Sequence, residues 1–168
     1  MELKNRLGLT GLAFSIEEER ISKQKAKLLF DQRILDTLEA GTYAALQSIH
    51  RYLFEDICDF AGKTRTLNIA KGNFRFASAL YLDDALRQIS AMPQKTFDQI
   101  VAKYIEMNIA HPFLEGNGRS TRIWLDGMLK KELGLVVDWS WVDASDYQVS
   151  ADEMRWLAGE QIFCEMQA

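Results

Sequence analysis

The segment His111–Arg122, HPFLEGNGRSTR, concentrates residue types that do chemistry. Gly116, Asn117 and Gly118 stand where a loop becomes a helix. Two glycines around a small polar residue let successive backbone N–H groups point into one concavity suited to an anion. The start of the following helix adds partial positive charge. Arg119 and Arg122 share a helix face near that end. Two guanidinium groups beside an anion nest suit a polyphosphate better than a single carboxylate. Glu115 precedes the nest, where a carboxylate beside phosphates is well placed to hold Mg²⁺. His111, on the other side of the loop, titrates near neutrality when unperturbed and suits a general base acting on a hydroxyl. Together these groups describe phosphoryl or nucleotidyl transfer.

The elements that must position them read as helices. The chain has only two prolines, Pro93 and Pro112, and is rich in good helix formers. Ser15 followed by IEEER predicts a first helix with acidic residues in its first turn. A second helix starts after Gly41, with Ala45, Leu46, Ile49, Tyr52 and Leu53 at helical spacing. In Arg65–Ala77, Ile69, Phe74 and Phe76 flank Lys71-Gly72-Asn73, which predicts a short β-hairpin. Helix returns over Tyr81–Met92. Thr96 with Gln99 is a capping-box pattern opening a helix to about Ala110. The next helix starts inside Gly116–Arg122 and stops at Gly134. Trp139, Trp141 and Tyr147 fall in a less regular stretch, and a last helix is expected over about 150–166. The tryptophans are read as core rather than as a base-stacking platform. His50, amid apolar residues, is read as a hydrogen-bonded structural histidine.

The 168 residues are expected to form a single domain, 1–168. Hydrophobic residues make up 48% and charged residues 26%, a globular composition. The net charge of −4 argues against sequence-independent DNA binding, so no direct nucleic-acid partner is expected. No secretory signal or membrane-spanning run is legible, and the two cysteines lack a short spacing; a cytoplasmic location is the expectation.

HPFLEGNGRSTR resembles the Fic motif HxFx(D/E)GNGRxxR, matching every specified position. LQSIHRYLF, DFAG, NIAKGNFRFA and KYIEMNIAHPF also look like the small bacterial single-domain Fic proteins, a resemblance covering roughly residues 20 to 145. It implies an all-α Fic fold, a helical bundle with a β-hairpin flap over the active-site loop. It implies a protein adenylyltransferase moving AMP from ATP onto a Tyr, Ser or Thr hydroxyl and releasing pyrophosphate. By resemblance His111 would deprotonate that hydroxyl and Phe113 would anchor the loop. Glu115 would hold Mg²⁺, and Gly116, Asn117 and Gly118 would cradle phosphates, with Asn117 hydrogen-bonding the α-phosphate. Arg119 would bind the β-phosphate and Arg122 the γ-phosphate. The flap, with Lys71, Gly72, Asn73 and Phe74 at its tip, would hold the target as an added strand. Lys71 and Arg75 either keep that edge soluble or meet an acidic target. In the Doc relatives, which are kinases, a lysine replaces the second glycine of GNG; Gly118 here favours nucleotidyl transfer.

Two matters stay open in the sequence. Many Fic proteins carry an inhibitory (S/T)xxxE(G/N) helix whose glutamate pairs with the second arginine of the motif. Only Ser15–Glu19 approaches it, followed by Arg20, and it reads better as an ordinary helical turn. No such motif follows Tyr147, which leaves an uninhibited enzyme, a separate antitoxin chain, or a divergent end. The resemblance also implies type II topoisomerase subunits such as gyrase as targets, and self-association. The same site would serve transfer of UMP, phosphocholine or a phosphoryl group, or would survive in an inactive target-binding module.

Overall fold

In a computed structural model of the chain, residues 5–138 and the backbone of Phe163–Glu165 are described. Helix α1 spans Gly11–Asp31, α2 Tyr43–Phe54, α3 Leu82–Ala91, α4 Phe97–Ala110 and α5 Asn117–Leu133. Short 3-10 turns cover Ile34–Thr37 and Ala79–Tyr81. The mostly helical architecture with a small hairpin is the one expected.

Local chemistry sets the helix ends. Thr42 caps α2 by accepting from the Ala45 N–H. Thr96 and Gln99 form the reciprocal capping box of α4. Gly134, in the left-handed region, ends α5. The first helix departs from expectation. It starts at Gly11, and Ser15 lies inside it, with its hydroxyl donating to the Gly11 carbonyl. No acidic residue occupies the first turn.

The core sits where α2, α4 and α5 meet. Leu46, Ile49 and Leu53 of α2, Ile100 and Met107 of α4, and Trp124, Met128 and Leu129 of α5 belong to one buried cluster. Fully burying side chains of this kind contributes about 1.5–3 kcal/mol each, as an upper estimate. The Trp124 indole N–H donates to the Thr42 carbonyl, tying α5 to the start of α2. Lys103 is also buried, its ammonium held by the Ser90 and Met92 carbonyls and Gln94.

Two antiparallel pairs complete the fold. Strand β1, Ala70–Lys71, pairs with β2, Phe74–Arg75. Strand β3, Leu135–Val137, pairs with β4, Phe163–Glu165, with Val136 opposite Cys164. The β4 pairing corrects the helix expected over about 150–166: Phe163–Glu165 are strand, because β3 leaves a backbone edge that they fill. The rest of that helix, and Trp139, Trp141, Tyr147 and Trp156, lie outside the described residues. Among the described residues no helix is long and apolar enough to cross a membrane.

Candidate active site

The motif loop joins the end of α4 to the start of α5, and its own side chains hold it shut. The Asn117 amide accepts from the Phe113 N–H at 2.8 Å and donates to the Phe113 carbonyl at 2.7 Å. Phe113 is fully buried, as an anchor should be. Asn117 is 2% exposed and its amide is spent on Phe113, so the group it leaves for a ligand is its backbone N–H. His50 braces the loop from α2. Its Nδ1 accepts from the Gly62 N–H, so Nε2 carries the proton and donates to the Glu115 carbonyl at 2.8 Å. Its ring stacks on Phe113 with centroids 3.8 Å apart. The structural reading of His50 therefore holds, with the motif loop as what it supports.

His111 caps α4 in the left-handed region, with φ 49°. Its Nδ1 lies 3.3 Å from the Asn108 carbonyl. A carbonyl only accepts, so Nδ1 carries the proton and Nε2 keeps its lone pair. Burial lowers the imidazole pKa to about 4, the Asn108 hydrogen bond opposes that, and Arg65 and Lys71 lower it further. The ring is thus neutral at pH 7, the state a proton acceptor needs.

The first turn of α5 supplies the anion side. By helix geometry the N–H groups of Asn117, Gly118 and Arg119 have no acceptor within α5. Gly116 makes the turn possible. Its φ is +79°, and a Cβ there would come 2.5 Å from the Phe54 ring. At Gly118 a Cβ would stand 3.5 Å from an Arg122 nitrogen, so this guanidinium lies beside the nest. Arg119 is engaged on the other side: its Nη2 pairs with Glu18 of α1 at 2.5 Å and its Nη1 donates to Ser22 at 2.7 Å. The same guanidinium lies 5.0 Å from the Phe54 ring centre. Glu19, the residue singled out in sequence, instead pairs with Lys23 one turn along its own exposed face. Glu18 carried no sequence signal, since its partner is 101 positions away.

Glu115 is exposed and accepts from the Gly116 N–H at 3.1 Å. Mg²⁺ is commonly held by one or two carboxylates with phosphate oxygens completing its shell. A single solvent-facing carboxylate at the mouth of an anion nest fits that donor set.

The flap lies against the base. Lys71 pairs with Phe74 across a two-residue turn in which Gly72 has a φ of +57°. Lys71, Gly72, Asn73 and Phe74 are all exposed. Phe76 stacks on His111 with centroids 3.7 Å apart and planes 18° apart, and Phe74 meets Phe76 edge-on at 5.2 Å. Arg65 was not singled out by sequence, yet it is 3% exposed and sits under the flap. It donates to the carbonyls of Ala110, His111, Leu67 and Ala77 at 2.5–3.0 Å. The structure thus gathers His111, the first turn of α5, Arg119, Arg122, Glu115 and the flap around one loop.

The Fic/DOC family pattern matches residues 40–129, more than half of the chain. The chain is 34% identical to the protein adenylyltransferase VbhT of Bartonella schoenbuchensis, over 60% of this chain and 23% of that one. It is 30% identical to the probable protein adenylyltransferase y4lH of Sinorhizobium fredii, over 67% of this chain and 65% of the other. The match therefore spans less than two thirds of either relative. In fold, the chain superposes on the crystal structure of the BepC protein of Bartonella tribocorum with bound AMPPNP. The TM-score is 0.77 at 18% identity, covering 99% of this chain and 94% of that one. With the motif, the flap and the bundle in place, the chain belongs to the Fic/DOC family.

Proposed function

We propose that the chain transfers AMP from ATP to a hydroxyl side chain of a target protein. The observation that carries this reading is the neutral His111, with Nδ1 committed to Asn108 and Nε2 left to accept, across one loop from an amide-rich helix start. His111 Nε2 takes the proton of the target hydroxyl. That oxygen bonds to the α-phosphorus, the bond from the α-phosphorus to its β-bridging oxygen breaks, and pyrophosphate leaves. The N–H groups of Asn117 and Gly118 hold phosphate oxygens before and after the step, and Arg122 holds the far end of the triphosphate. Arg119 joins them once Glu18 lets it go. Glu115 would share Mg²⁺ with the phosphates, which offsets their charge. Gly118 leaves the nest open, where a lysine would fill part of it and favour γ-phosphoryl transfer.

Relatives named as adenylyltransferases and a fold neighbour crystallised with AMPPNP support the same reading. The flap supports a protein target, since an extended segment can add to its edge with little sequence demand. Type II topoisomerase subunits such as gyrase are the first targets to try, with a separate antitoxin and a homo-oligomer as the partners to look for. The test is incubation with ATP labelled at the α- or the γ-phosphate, Mg²⁺ and a bacterial lysate, beside His111→Ala. Label transferred from the α-position alone and lost in the variant is the expected result. Transfer from the γ-position would make the chain a kinase, and no transfer would leave a binding module.

A further inference from the structure

We propose that Phe76 is a positioning residue for His111, held in place by Arg65, so that the flap that would receive the target also orients the base. The proposal rests on His111 acting as the proton acceptor. Its grounds are geometric. Among the described residues the His111 ring has one hydrogen bond, a 3.3 Å contact to Asn108, and that bond alone leaves the imidazole free to tilt about it. The second constraint is the face of Phe76, stacked at 3.7 Å. Phe76 follows β2 directly, and the backbone on either side of it is pinned. Its own N–H donates to the Ile69 carbonyl at 3.3 Å, and the next N–H, of Ala77, donates to the Ile109 carbonyl at 3.0 Å.

Arg65 closes this bracket. One guanidinium reaches Leu67 before the hairpin, Ala77 after it, and Ala110 and His111 at the end of α4. Its backbone N–H donates to the Pro112 carbonyl at 2.8 Å. The last carbonyls of a helix lack partners within it, and a cation there is favoured by the helix dipole. Arg65 therefore satisfies α4 and locks both flap ends to it in one contact set. Only a planar fork with five donors can do this; a lysine offers one nitrogen. A flap displaced by a badly fitting target would move Phe76 off the ring.

The chain has two histidines, which makes the test clean. They hold opposite tautomers: Nε2–H in His50, Nδ1–H in His111. Imidazole ¹⁵N shifts at pH 7, assigned with His111→Ala, report each one. In Phe76→Leu we expect His111 to pass from a single Nδ1–H form to a mixture, while His50 keeps its own. Phe76→Tyr, which preserves the aromatic face, should restore the wild-type pattern. In the transfer assay Phe76→Leu should lower kcat between about 10- and 100-fold with ATP affinity unchanged, because misplacing a reacting group costs rate rather than ground-state binding. Arg65→Lys should reproduce both changes. A pure Nδ1–H His111 in Phe76→Leu overturns the proposal, as does an unchanged kcat or a matching loss of ATP affinity. If Arg65→Lys fails to fold, seen as loss of the His50 pattern, Phe76→Leu decides alone. If the wild type transfers no label, the functional reading fails, while the tautomer shifts still judge the positioning.

Discussion

The motif loop runs between two helix ends of opposite character. At the end of α4 the backbone presents carbonyls, and the groups gathered there are a buried cation, Arg65, and an uncharged base, His111. At the start of α5 the backbone presents N–H groups, and the groups gathered there are Arg119, Arg122 and the carboxylates of Glu18 and Glu115. At the carbonyl end the Asn108 carbonyl fixes Nδ1–H of His111 and leaves Nε2 as the nitrogen able to accept a proton. The amide end has the donors an anion needs. In the proposed reaction, two helix termini meeting at one loop would separate proton transfer from phosphate binding over a few residues. The two histidines show that burial alone does not make a base. Burial lowers the pKa of both to about 4. Among the described residues His50 spends both nitrogens on the backbone, whereas His111 spends one.

If the two ends are independent, each should fail alone. His111→Ala is expected to lower transfer about 10²–10⁴-fold while ATP binding, read by calorimetry, stays intact. Gly116→Ala should do the reverse. It puts a Cβ against Phe54 and strains a φ of +79°, so ATP binding is lost and thermal stability falls by about 1–3 kcal/mol. Loss of binding in His111→Ala would join what we separate. The two histidines also set an acid limit on the fold. Their folded-state pKa values lie below the usual 6.5, so the unfolded chain binds more protons between pH 6.5 and 4, and stability falls as pH drops through that window. Each histidine contributes on the order of 3 kcal/mol to that loss. Urea midpoints at pH 7 and 4.5 should differ less in His50→Leu than in the wild type. The smallest effect concerns the amide end alone. Glu18→Gln frees Arg119 and should tighten Mg-ATP binding about two- to fivefold, the scale of a partly exposed ion pair.

The residues of the anion nest were legible because their chemistry is local: glycines at a helix start, arginines one turn on, a histidine just before. So were the capping box at Thr96 and the hairpin turn at Gly72, each a rule of a few adjacent residues. What the sequence hid is contact at a distance. Arg65 bonds four main-chain carbonyls, which have no residue identity to read. Glu18 is one acidic residue in a run of three, and only its place beside Arg119 at the start of α5 selects it from Glu17 and Glu19. The strand at Phe163–Glu165 exists because β3 offers an edge, a partner that local helix propensity does not weigh. The beginning of α1 at Gly11 has a similar cause: Phe14 packs against the core, and that tertiary contact extends the helix beyond Ser15.

The strands of the flap are two residues long. A segment laid along such an edge gains only two or three main-chain hydrogen bonds, each contributing about 0.5–1.5 kcal/mol net. That grip is too weak to find a target at low concentration. It is strong enough once some other contact has raised the effective concentration of the target near the flap to the millimolar range. In the proposed transfer, selectivity would then be a matter of tethering: whatever brings a protein close would decide what is modified, and the short edge would let it go soon after.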